Sequence, residues 1–99
     1  MTLRYLTLDG MLSGSGIRNS VDGGYVDLNS LGLSENLCSK ISEWLIRYEQ
    51  EHYNQFNDEK KVETLDRQGV VLCKSLRAEL PQCKIDYYSA AAMRNIDVI

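Results

Sequence analysis

Residues 33–56, LSENLCSKISEWLIRYEQEHYNQF, decide how this chain of 99 residues folds. Leu37, Ile41, Trp44, Leu45 and Tyr48 recur at the spacing of one helical face, with Cys38 beside them. Ser34 stands where a side-chain oxygen can accept an orphan N–H of the first turn, and Glu35 complements the helix dipole. Leu37 occupies the position where a capping box needs Glu or Gln, so the local sequence lacks the reciprocal bond. Glu35, Glu43, Arg47 and Glu51 project away from the stripe, and Glu43–Arg47 is an i,i+4 pair in the favourable order. The spacing predicts a helix of about 20 residues that ends between Gln50 and Phe56.

A second stripe follows in residues 65–80, LDRQGVVLCKSLRAEL, where Leu65, Gly69, Leu72, Cys73, Leu76 and Leu80 share a face. Thr64 or Asp66 is its expected cap, and Asn57–Lys61 the expected loop between the helices. Gly69 costs about 1 kcal/mol of helix propensity against alanine. The expected compensation is close approach of the first helix. Pro81 stops the second helix, because a residue before proline is pushed out of the α region.

Strand-like segments flank this pair. Residues 2–8 read as a strand, although Leu6 and Leu8 have the opposite parity to Leu3 and Tyr5. Ser13–Gly24, with Gly14-Ser15-Gly16 and Asp22-Gly23-Gly24, reads as a long hairpin connection, and Tyr25–Leu28 as a second short strand. Lys84–Tyr88 makes a third, with Ile85 and Tyr87 on one face. Ala90–Met93 is ambiguous, and Ile96–Val98 is either an edge strand or a tail. The reading is one α+β domain over residues 1–99, a helical hairpin packed on a small, mainly antiparallel sheet in the order β-β-α-α-β.

Composition bounds what such a domain can do. A chain of this length buries about 60–65% of the surface its unfolded form exposes, which leaves little room for a cofactor cavity. No apolar run reaches the roughly 20 residues that a membrane-spanning helix needs, and Met1–Leu12 does not read as a signal peptide. Three cysteines at irregular spacing argue against a disulfide framework and for a reducing compartment, so the expected location is the cytoplasm.

The net charge of −3 hides a larger asymmetry. Residues 20–59 hold eight acids (Asp22, Asp27, Glu35, Glu43, Glu49, Glu51, Asp58, Glu59) against Lys40 and Arg47. A nucleic-acid binder concentrates cations, so direct nucleic-acid binding is not expected. An acidic surface instead steers a basic protein partner, or simply keeps a helix face solvated.

Catalytic chemistry is thin. His52, the only histidine, has no nucleophile at a recognised spacing. Cys38, Cys73, Cys83 and His52 contain no C-x2–4-C pair for zinc, and the first two lie on apolar stripes. The glycine pairs lack a complete phosphate-loop pattern and read as turns. Glu49 and Glu51, two apart on a helix, do not face each other. The expectation is a non-enzymatic protein without cofactor or metal. Tyr53 and Phe56, aromatic residues ringed by acids, have the composition of an interface hot spot and equally that of a peripheral core cluster.

The packing positions form a pattern: LS-x2-L-x3-I-x2-W-x3-YE at residues 33–49, then LD-x2-G-x2-L-x3-L-x2-EL at 65–80, then a short strand at Lys84–Tyr87. This resembles small bacterial immunity proteins of contact-dependent growth inhibition and related polymorphic toxin systems. The resemblance covers residues 32–88. It implies a protein that binds the C-terminal domain of a cognate delivered toxin, a basic cytoplasmic nuclease, and blocks it. Contact is then expected from Asp22, Asp27, Glu43, Glu49, Glu51, Asp58 and Glu59, with Tyr53 and Phe56. The alternative is a non-enzymatic adaptor or subunit of a bacterial complex.

Overall fold

Leu6 and Leu8, both buried, are the centre around which the sheet is built. In the computed structural model, which describes residues 4–98, they lie on strand β1 (Tyr5–Asp9). The expected strand began at Thr2; Thr2 and Leu3 lie outside the described residues. The other elements are β2 (Ile17–Asn19), a 3-10 turn at Leu28–Leu31, α1 (Glu35–Tyr53), α2 (Glu59–Glu79), β3 (Lys84–Ser89) and β4 (Arg94–Ile96). The α+β reading holds. The sheet runs β2-β1-β3-β4, with both outer pairings antiparallel and the central β1–β3 pair parallel.

Register explains the parity conflict in the first strand. Leu6 pairs with Ile85 and Leu8 with Tyr87, so these four side chains share the face covered by the helices. Tyr5, Thr7 and Asp9 point to the other face, opposite Lys84, Asp86 and Tyr88. That face is polar and cross-linked: Tyr5 donates to Asp86, Lys84 sits over the Tyr5 ring and Arg18 over the Tyr88 ring. Two-sided use of the strand defeated simple alternation.

The second strand differs from the expected one. Ile17–Asn19, inside the supposed hairpin connection, pairs with Leu6–Leu8, while Tyr25 adds only an isolated bridge to Arg18. Asp27 instead caps the 3-10 turn by accepting from the Asn29 N–H. Gly16, at φ +100°, allows the chain to enter β2 against Ile41. Strand β4 takes up Arg94–Ile96 as an edge strand, adding a sixth element to the expected order.

Both helices keep their predicted inner faces. Leu37, Ile41, Trp44 and Tyr48 are buried on α1, and Leu65, Gly69, Leu72, Cys73 and Leu76 on α2. Leu45 is only half-buried, and Glu51 takes a buried place that the stripe did not assign to it. The Trp44 indole N–H donates to the Leu65 carbonyl at 2.8 Å, tying the two helices at mid-length. Helix α2 starts about two turns earlier than expected, because Asp58 accepts from the Lys61 N–H. Thr64 merely bonds back to the Lys60 carbonyl, and Asp66 has other work. The expected Glu43–Arg47 ion pair is not formed; among the described residues the only ion pairs are Arg18–Asp9 and Arg67–Glu63. An exposed pair of this kind gains only about 0.2–0.5 kcal/mol, too little to hold two long side chains in place.

The missing capping-box acceptor comes from the other helix. Ser34 accepts from the Leu37 N–H, while its own N–H and hydroxyl donate to the two carboxylate oxygens of Glu79 at 2.7 and 2.8 Å. The last residue of α2 thus closes the first turn of α1. These bonds hold the Glu79 carboxyl below its ordinary range, the backbone bond contributing most. A depressed carboxylate stabilises the fold above its unfolded pKa, and that contribution is lost as pH falls through the folded value. In urea unfolding, Glu79→Gln should be less stable than wild type at pH 7. The gap should narrow once pH drops below about 4, the ordinary carboxylate range. A gap that does not change with pH would remove the carboxylate from the cap.

Gly69 has a different reason from the one expected. A Cβ there would fall on the ring of Tyr87, so the glycine makes room for the sheet rather than for α1. Helix propensity alone predicts that Gly69→Ala stabilises by about 1 kcal/mol. Displacing the buried ring predicts a net loss of about 1–3 kcal/mol. Thermal or urea unfolding of Gly69→Ala should show the loss; a gain would mean the ring yields freely.

Candidate functional site

The side of the helical hairpin that faces the sheet is satisfied. Asp66 accepts from Tyr87, Ser89 and Tyr48 at 2.6, 2.8 and 2.9 Å, and the Tyr48 oxygen in turn accepts from the Ala91 N–H. Burial, with this carboxylate beside it, pushes the Tyr87 phenol far up, so it stays a donor. His52 binds the Gly10 carbonyl through Nε2 at 2.7 Å, which requires that nitrogen to carry the proton. Phe56 stacks edge-on against His52 and Tyr48. These groups have the geometry of anchors.

The three cysteines are free. Cys73 is buried, directs its thiol at the Ile85 carbonyl, and has its pKa pushed up to about 11 by burial. Asp9 is fully buried below the Tyr25 hydroxyl (2.8 Å) and Arg18 (3.5 Å). Burial is the main reason its carboxyl lies above the usual range. Among the described residues no group of three or more histidine, cysteine or carboxylate side chains is placed to hold a metal ion. No described helix is long and apolar enough to cross a membrane.

The acids singled out from the sequence fall into separate places. Asp22 and Asp27 are exposed on the segment after β2, where Asp22 meets Asn19 and Asp27 caps the 3-10 turn. Tyr53, Asp58 and Glu59 line one polar concavity at the loop between the helices, together with Lys60 and Lys61. Tyr53 is 73% exposed there, whereas Phe56 is half-buried against the core. Glu49 is half-buried on α1. Glu43 and Glu51 line the outer groove between α1 and α2.

Helical periodicity alone does not reveal this groove. It consists of two depressions of about 330 and 350 Å³ that share Arg47, Thr64 and Gln68. Trp44, Leu65, Val71 and Leu72 supply apolar lining, and Val71 is 61% exposed. Lys40, Arg47, Lys60, Lys61 and Arg67 surround it. A pattern of α1 cations at 40 and 47 and α2 cations at 60, 61 and 67 was present in the sequence, but only the antiparallel pairing of the helices gathers them. Glu51 is 4% exposed on the groove wall, and its Oε1 has no hydrogen-bond partner among the described residues. The Oε1 of Gln68 is in the same condition. Glu51 is therefore not the exposed acid that the helical wheel implied.

The sequence model of the family described as Serratia CdiI immunity protein-like matches residues 16–90. Together with the two-helix, four-strand fold, this places the chain among the immunity proteins of bacterial competition. It belongs to the Serratia CdiI immunity protein-like family, and so is an immunity protein of a contact-dependent growth inhibition system, which binds a cognate toxin. The match takes in β2 as well as the helical hairpin and β3. Comparison with curated proteins and with solved structures gave no match.

An under-bonded carboxylate in a buried wall lowers the stability of the protein that carries it. Glu51→Leu should therefore stabilise the free protein, by about 1 kcal/mol in urea unfolding. A variant less stable than wild type would show that Glu51 contributes to the fold itself.

Proposed function

We propose that this immunity protein neutralises the C-terminal domain of its cognate toxin by direct, non-enzymatic binding in the cytoplasm, and that the toxin domain is a nuclease. The observation that carries the reading is the family match across residues 16–90. A nuclease presents a basic surface to its substrate, and exposed acids fit such a surface without mimicking its chemistry. Asp22, Asp27, Glu43, Asp58 and Glu59 are exposed, Glu49 is half-exposed, and Tyr53 supplies an uncovered aromatic ring beside Asp58 and Glu59. Phe56 serves this surface by fixing the loop from below. Three free cysteines agree with a reducing compartment.

Acids spread over separate sites act mainly on encounter, since charge complementarity raises association rates more than it slows dissociation. Asp22, Glu49 and Glu59 can be reversed to lysine without touching the Asp58 cap or the outer groove. The triple reversal should slow association with the purified toxin domain about tenfold or more in surface plasmon resonance. It should also flatten the decline of the wild-type rate with salt, because exposed charges are screened over about 8 Å at physiological ionic strength. Circular dichroism should show an unchanged fold. An unchanged association rate in the folded variant would remove the acids from recognition.

A further inference from the structure

We infer that the outer groove between α1 and α2 is a second toxin-binding surface, built to receive an acidic segment of the toxin domain. The inference rests on the immunity reading and adds to it the surface and the chemistry of one contact.

Three observations converge on this groove. Its charge is net positive: five cations, Lys40 and Arg47 from the acidic stretch and Lys60, Lys61 and Arg67 from just beyond it, stand against Glu43 and Glu51. Of the five, only Arg67 is in an ion pair among the described residues, with exposed Glu63 at 3.7 Å. The other four are available to carboxylates from outside. Second, the lining is apolar around Trp44, Val71 and Leu72, and Val71 is left largely uncovered. Third, the buried Glu51 Oε1 and the Gln68 Oε1 lack donors, and Glu51 and Gln68 both line the same depression.

An acidic peptide segment meets all three. Its carboxylates pair with the lysines and Arg47 at the rim, an apolar side chain covers Val71 and Leu72, and, once the Glu51 and Gln68 side chains swing outward on binding, its own N–H or hydroxyl donors bond the two orphan oxygens. A basic segment would satisfy Glu51 but face four unpaired cations. Like charges opposed across an interface select against a partner. The unsatisfied oxygens also give Glu51 a use in this wall: its bond is completed only in the complex.

Zero-length carbodiimide coupling, which joins lysine amines to carboxylates in direct contact, tests the chemistry on the full chain mixed with the purified toxin domain. The expected result is coupling of Lys40, Lys60 or Lys61 to toxin aspartate or glutamate, identified by mass spectrometry. Coupling confined to Lys74 and Lys84, or only between acids of this chain and toxin lysines, overturns the groove. Val71→Glu and the pair Arg47→Glu with Lys61→Glu supply the energetic arm. Val71→Glu, in the apolar lining, should speed dissociation about tenfold or more, and the pair Arg47→Glu with Lys61→Glu, which reverses rim charges, should slow association about tenfold or more. Glu51→Leu should bind more weakly although the free protein is at least as stable, a split that a purely structural role would not give. If these variants bind like wild type while wild type protects and binds, the groove is wrong and the immunity reading stands. If wild type itself neither binds nor protects against the toxin, both fall. Light scattering excludes the remaining occupant: a wild-type dimer broken by Val71→Glu would assign the groove to a second copy and overturn the proposal.

Discussion

The Asp66 carboxylate holds three parts of the molecule in register. It sits on α2, takes the hydroxyls of Tyr87 and Ser89 from β3, and takes that of Tyr48 from α1. Each donor is a side chain whose orientation is already limited by packing. Tyr87 lies over Gly69, and Trp44 meets Tyr48 and Tyr87 edge-on at 5.4 and 6.1 Å between centroids. Sliding α2 by one residue would rotate Asp66 by about 100° away from all three hydroxyls. The apolar stripe permits several such positions at modest cost, whereas the satisfied polar cluster permits one. Hydrophobic burial brings the helices to the sheet, and Asp66 fixes where they stop.

Both ends of the hairpin are then fastened by polar groups of the opposite element. Glu79 closes the start of α1 through Ser34, and Arg77 reaches the carbonyls of Ile85 and Val98 from the last turn of α2. At the other end His52 holds Gly10, and Phe56 folds back over His52 and Tyr48 from a left-handed backbone position. Such bonds leave the sheet-facing side with its polar groups paired. The outer side differs, with Glu51 and Gln68 each carrying an orphan oxygen; the one other among the described residues, Asp9 Oδ2, lies on the far face of the sheet, 3.5 Å from Arg18. Native interiors rarely leave buried polar atoms unmatched. The contrast between two sides of one helix pair separates what holds the fold from what the fold holds ready.

Much of the fold was legible because it depends on local period. The inner faces of α1 and α2, the Ser34 cap, the stop at Pro81 and the strand carrying Ile85 and Tyr87 follow from spacing and cap chemistry. What failed depends on partners distant in sequence. Strand β2 is three residues long and exists because Leu6–Leu8 offers it a ladder. The start of α2 at Asp58 precedes its apolar stripe by two turns, so periodicity could not reveal it. Gly69 is a packing residue, as its place in the stripe implies, yet the neighbour it makes room for is not α1 but Tyr87, eighteen positions away on β3.

The surface shows the same division more sharply. Counting charge along residues 20–59 gives a strongly acidic segment, and that count implies one acidic face. Folding scatters those acids among a turn, a 3-10 cap, a loop and two sides of α1, and sets five cations around the groove where the helices meet. A linear count fails here because an antiparallel helix pair brings its first and last turns together and places i,i+7 neighbours on one line. Lys40 and Arg47 are such neighbours on α1, and Lys60 and Arg67 on α2. For a protein whose task is binding, the potential a partner meets belongs to the packed surface, where these two rows face each other. The acidic stretch and the basic groove are thus two consequences of the same sequence, one set by composition and the other by the pairing of its helices.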